Sequence, residues 1–266
     1  MSTHQQSGPE REWKRWHEWR TGQVSDPHGP LSLAGTHWLP EHPDGRLPAV
    51  PGVWRDDGDA VLLTARPEDG IRLDGEPFTG ETRLAADRAP VPGARVAAGD
   101  RRLFVMHREG EWAVRDFDPG TPARRFFTGI QVTPYDPRWV RPGVFHPYEE
   151  VRAIRVENAD GRERGLHLSG ELAFTLEGTG HTLQVVQEDD DSLWAVFADA
   201  TSGQDSYRFR FLRPGRPAPD GGVTVDFNRA LLPPCAFAAH FICPFPPPGN
   251  TLPVAVTAGE RQVLAG

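Results

Sequence analysis

Apolar residues in this chain come in short runs bounded by acidic-glycine pairs or proline-rich text, and one stretch carries a clear helical period. Over Pro9–Gln23, Trp13, Trp16 and Trp19 recur every third residue with Arg11, Arg15 and Arg20 between them. That spacing predicts a helix whose tryptophans lie over a sheet or a barrel opening. An aromatic, basic helix also suits a membrane surface, but the acidic residues mixed into it favour the first reading. Beyond the helix the pattern turns strand-like. Leu31–Leu39 (LSLAGTHWL) leads into turn-rich text up to Gly52, and then GVWRDDGDAVLLTA, IRLDGEPFTGETRLA and RRLFVMHREGEWAVRDFD each set a turn between two apolar runs. Those are hairpin signals.

A second series begins near Phe126. Residues 151–156, 164–177, 182–187, 193–198 and 207–212 alternate or run apolar between turns. The acidic run Glu188–Asp191 falls between two of them and reads as a solvated hairpin tip. The expectation is an all-β, mainly antiparallel fold of two packed β-rich halves, barrel or sandwich-like, with an N-terminal helix. Residues 1–24 would form the helical arm, 25–120 the first half and 121–266 the second. No strong internal repeat is visible.

Composition agrees. The chain has 28 glycines and 27 prolines in 266 residues, well above the ~12% expected of the two together, which disfavours a helical bundle. A net charge of −8 makes nucleic acid a poor partner. Lys14 is the sole lysine, in the charged N-terminal stretch. Arginine forms no Schiff base, so pyridoxal phosphate anchoring, a lysine aldolase and a Walker-type phosphate loop are disfavoured. The start, MSTHQQSGPE, lacks the apolar core of a signal peptide, and no run reaches the length of a membrane span. A cytoplasmic protein with no membrane partner is expected. The two cysteines, Cys235 and Cys243, are then expected as thiols, too few for a Cys-only zinc site or an iron–sulfur cluster.

The most unusual text is VTVDFNRALLPPCAFAAHFICPFPPPGNTLPVAVTAGERQV, near the C-terminus. Pro233, Pro234, Pro244 and Pro246–Pro248 fix φ and remove donors, making a stiff irregular ribbon. The elements Asp226–Ala230, Pro233–Phe237, Cys243–Pro244, Pro246–Pro248, Asn250 with Leu252, and Ala258–Glu260 together resemble the signature of the bacterial family known as domain of unknown function 1684. LSLAGTHWL, VRDFDPGTPARRFFTGIQVTPYDPRWV and FADATSGQDSYRFRF are similar to that family as well. The resemblance implies a fold and brings no established activity. Where the family usually reads Tyr-Asn before one proline pair and Thr-Pro-Tyr-Ala-Thr before the second cysteine, this chain has Leu231-Leu232 and Ala238-Ala239-His240-Phe241-Ile242. If the ribbon lines a cavity, that cavity is greasier here and suits a larger apolar substrate such as a biosynthetic intermediate. If it packs inside, the changes are core repacking.

Asp226, Asn228 and Arg229 supply a carboxylate, an amide and a guanidinium within four residues. On a strand, Asp226 and Asn228 would share a face, with Arg229 opposite. Arg229 or Arg210 would clamp an anion while Asp226 serves as acid or base; the alternative is a structural ion pair. Cys235 with His240 would make a nucleophile and base, against the alternative of a buried inert thiol. His37, His107, His146 and His167 are isolated, and no His-Glu-x-x-His, Gly-x-Ser-x-Gly or Gly-x-Gly-x-x-Gly motif is present. No metal and no cofactor are expected.

The reading is therefore a cofactor-independent enzyme acting on a small, partly apolar organic molecule by acid–base chemistry: a cyclisation, isomerisation, elimination or hydrolysis. Asp226, His240, Tyr207 and Glu260 are its candidate catalytic residues. Asn228, Arg229, Arg210, Cys235 and Phe241 are its candidate substrate contacts. The competing reading is a non-catalytic small-molecule-binding or scaffold protein whose ribbon closes the fold.

Overall fold

The computed structural model describes residues 8–87 and 95–266. Met1–Ser7, on which the reading of the N-terminal leader rests, lie outside the described residues. The fold is mostly antiparallel β, 46% strand and 16% helix, with one N-terminal helix, as the hydrophobic pattern predicts. The chain divides into two compact units, one of Met1–Thr21 with Thr128–Gly266 and one of Gly22–Phe127. The helix spans Gly8–Ser25.

In the Gly22–Phe127 unit, a six-stranded sheet runs in the order Leu33–Trp38, Glu111–Phe117, Arg101–Arg108, Val96–Ala98, Ile71–Leu73 and Glu76–Pro77. A second sheet pairs Val53–Asp56, Val61–Ala65 and Gly80–Leu84. The hairpin in RRLFVMHREGEWAVRDFD closes at Glu109-Gly110, both with positive φ (50° and 84°), and Asp74-Gly75 does the same at 51° and 91°. Two successive positive φ values make the mirror-image turn whose twist matches that of the strands. Trp54, Val61, Leu63, Leu103, Val105 and Val114 form the centre of this unit's core.

The other unit is built on a six-stranded antiparallel sheet. Its order is Arg210–Leu212, Leu193–Phe197, Thr179–Gln187, Glu163–Leu176, Val140–Glu157 and Gly222–Asp226. Every second residue from Arg164 to Leu176 is buried, the period of a sheet with one face on the core. Leu172, Leu183, Val185, Phe197, Val225 and Phe227 fill that core. Between Pro147 and Arg152 the register to the next strand shifts, so Tyr148–Glu150 of FHPYEE lie on a bulge while Phe145–Pro147 stay paired in the sheet. There the Tyr148 hydroxyl donates to Glu171 at 3.1 Å. The acidic run forms the turn between Thr179–Gln187 and Leu193–Phe197, paired with Arg213 and Arg216.

After Gly222–Asp226 the ribbon leaves the sheet and packs along its edge. Leu231 exchanges backbone bonds with Phe211 at 2.8 and 2.9 Å, and Asn158 bridges Pro244. Leu232, Phe237 and Ile242, among the apolar departures and their neighbours, are buried.

Candidate functional site

The strand ends at Asp226, and Phe227–Arg229 wind into a single 3-10 turn. This differs from the extended geometry expected for the motif. Asp226 Oδ1 accepts from the Asn228 backbone N–H at 3.0 Å, and this cap bends the chain. With three residues per turn, positions i and i+3 eclipse, so Arg229 folds back and its Nε lies 3.5 Å from Asp226 Oδ2. Asp226 and Arg229 are half-buried. The guanidinium sits over the Trp16 ring, 5.4 Å from its centroid. Tyr135 stands at the same corner: its ring lies 6.3 Å from that of Trp13. Burial raises its phenol above the ordinary value, and the Asp226 carboxylate adds to the effect.

Asn228 is fully buried, and its amide serves the neighbouring chain. Its Nδ2 donates to the Asp136 carbonyl at 3.0 Å and to Asp226 Oδ1 at 2.9 Å, while its Oδ1 accepts from the Asp136 N–H at 2.9 Å. Trp13 Nε1 donates to the Asn228 carbonyl at 2.8 Å. The turn held this way leads into Pro137–Trp139, and Arg138 and Trp139 form one wall of an open groove of about 470 Å³ that also meets Ala255 and Thr257.

Glu260 and Arg210 lie elsewhere, both fully buried. Glu260 accepts from Arg20 Nε at 3.3 Å and from the Leu232 N–H at 2.7 Å. Burial raises its carboxyl above the usual range, opposed chiefly by Arg20. Arg210 donates to Asp199 Oδ2 at 2.7 Å and to the carbonyls of Val256 and Ala258. Burial lowers its guanidinium, with Asp199 opposing. Asp226 shares no hydrogen bond with Glu260 or Tyr207.

Tyr207 instead meets Cys235. Its hydroxyl donates to the Cys235 carbonyl at 3.2 Å and lies 3.6 Å from Sγ. Phe241 is half-buried against the same aromatic and thiol cluster, whereas His240 is exposed on the ribbon's outer turn. The sequence places Arg20 on the helix but does not mark it, Tyr135, Asp199 or Arg208 as site residues. Tyr135, Asp199 and Arg208 lie inside text quoted for the family resemblance (TPYDPRWV and FADATSGQDSYRFRF), which is the available signal. Asn250, part of the ribbon signature, proves to be a second buried staple: its Nδ2 donates to the Gln184 and Val196 carbonyls and its Oδ1 accepts from the Gln184 N–H.

Among the described residues no group of three or more His, Cys, Asp or Glu side chains is gathered closely enough to hold a metal ion. No helix among them is long and apolar enough to cross a membrane.

A family model described as "Protein of unknown function (DUF1684)" matches residues 125–261. No curated protein matches the chain. Among solved structures, it is similar to the solution NMR structure of the uncharacterized protein from gene locus rrnAC0354 of Haloarcula marismortui. The two are 34% identical, the match covers 53% of this chain and 80% of that one, and the TM-score is 0.44.

Proposed function

The chain belongs to the DUF1684 family, and we propose on that premise that it acts on a small, partly apolar, anionic organic molecule at the Asp226–Arg229 corner, by acid–base chemistry and without a bound cofactor. The Arg229 guanidinium carries the reading. Its Nε faces Asp226, its Cζ lies over the Trp16 ring, and among the described residues no acceptor meets its two Nη groups. A carboxylate of the ligand would take those Nη donors side-on, as guanidinium geometry favours. Trp16 would receive the apolar part, and Asp226 Oδ2 would move the proton.

One observation favours a non-catalytic reading. Asn250 gives all its polar atoms to neighbouring backbone, and Asn228 and Glu260 each give part of theirs, as a closing element would require. A single set of variants separates the two. Asp226→Asn keeps a capping oxygen, so its melting temperature should stay within about 3 °C of the parent. A panel of arylacetates and aryl keto acids should stabilise the parent and Asp226→Asn alike, and lose that effect in Arg229→Gln. Deuterium exchange at the acidic C–H of the stabilising compound should fall by about a hundredfold or more in Asp226→Asn. Equal exchange in both proteins sinks the acid–base reading and leaves the binding one.

A further inference from the structure

Cys235 and Cys243 lie at the two ends of the ribbon's apolar turn, and the fold returns one to the other. Cys235 sits on the Pro234–Ala236 3-10 turn, and its backbone N–H donates to Cys243 Sγ at 3.3 Å. The Tyr207 hydroxyl approaches both the carbonyl and the sulfur of Cys235. Arg208 lies over Phe245 at 4.5 Å and near the Tyr207 and Phe209 rings, placing a guanidinium on the same cluster. Two sulfurs, a phenol and a guanidinium therefore converge in an aromatic setting separate from the Asp226–Arg229 corner.

We propose that Cys235 and Cys243 are a redox-active dithiol whose oxidant is a hydroperoxide, with Cys235 the attacking thiol and Cys243 the resolving one. The surroundings suit an attacking thiolate. Hydrogen bonding with Cys243 is the largest influence on Cys235, and Tyr207 and Arg208 add to it; against burial they hold the thiol down to about 7. Both residues are nearly closed off, at 8% and 7% exposure, which disfavours a bulky disulfide as the oxidant and leaves a small hydroperoxide as the class to test. The Cys235 thiolate attacks one peroxide oxygen, the S–O bond forming as the O–O bond breaks, and the departing hydroxide takes a proton to become water. Cys243 sulfur then attacks the sulfenic sulfur. The S–S bond forms, the S–O bond breaks, and the second hydroxide leaves as water with the Cys243 proton. Two thiols give up two electrons, and one hydrogen peroxide becomes two waters.

The chain has just these two cysteines, so any intramolecular disulfide is this pair. The full-length protein would be treated with hydrogen peroxide, denatured, alkylated with N-ethylmaleimide and weighed intact, beside a urea-unfolded sample oxidised at the same dose. The folded chain should lose both alkylation sites about tenfold faster than the unfolded one. Cys243→Ser should stop at a sulfenic acid that dimedone traps, and Cys235→Ser should react about tenfold more slowly. Tyr207→Phe, which leaves both sulfurs in place, should slow the loss several-fold. Folded protein that oxidises no faster than unfolded, or a Cys235→Ser chain sulfenylated as fast as Cys243→Ser, overturns the proposal.

Discussion

Several side chains in the C-terminal unit are single residues on which long stretches of backbone depend. Asn250 satisfies three backbone groups on two strands, with no exposed surface. Truncation would strand those groups without water, and each buried orphan costs about 1–3 kcal/mol. Asn250→Ala should therefore lower unfolding free energy by about 3 kcal/mol or more in urea. Asn250→Asp should fail to rescue it, because a carboxylate cannot donate to two carbonyls. Arg210 and Asp199 make the same point with charge. Removing one partner leaves the other buried and uncompensated, so Asp199→Ala should cost about 3–5 kcal/mol. An Asp199→Asn chain measured alongside, close in shape, shows how much of that loss is charge and how much is the lost cap on Thr201.

At the scale of elements, what was legible followed from local rules. Glu109-Gly110 and Asp74-Gly75 could be read because a two-residue hairpin demands positive φ and acidic-glycine pairs tolerate it. The alternation in 164–177 could be read because one sheet face is wet. The turn after Asp226 was not legible: a strand and a 3-10 turn place Arg229 on opposite sides, and the capping bond that decides between them is visible only in three dimensions. Arg20 and Asp199 were missed for a related reason. Arg20 meets Glu260 across 240 positions, and no spacing rule encodes such a pair. The strand Glu111–Phe117 carries a prediction of its own. Burial raises the Asp116 carboxyl to about 6, against the Arg101 guanidinium 2.9 Å away. A folded value above the ordinary 3.8 means the acid favours folding while protonated, and that contribution is lost as pH rises through about 6. Urea midpoints should therefore fall between pH 4 and about 6.5 in the parent relative to Asp116→Asn, whose curve lacks this component. Superimposable pH profiles would contradict the assignment.

Across the whole molecule, the start and the end of the chain meet in one unit. Trp13 holds the Asn228 carbonyl, Arg20 holds Glu260 and the Leu232 carbonyl, and Trp16 lies under Arg229. Two of the three tryptophans repeating every third residue, Trp13 and Trp16, thus lie against the turn that follows the sheet's edge strand, whereas Trp19 is 59% exposed, and the helix that carries them also supplies one wall of the proposed site. Arg20→Met should raise sensitivity to urea through the stranded Glu260 carboxylate, and lowering the pH should restore part of the loss by protonating it. The proline-rich ribbon is itself tied to two strands of the sheet by the buried Asn250 amide. The proposed function rests on this convergence, and its most direct test is an NMR titration of the parent protein with the arylcarboxylate that stabilises it best. The Trp16 indole N–H and the Arg229 Nε–H should shift together and saturate at one equivalent, with the Trp54 and Trp194 indoles unmoved. Shifts that spare Trp16 and Arg229 while moving other indoles would place the ligand elsewhere and contradict the account.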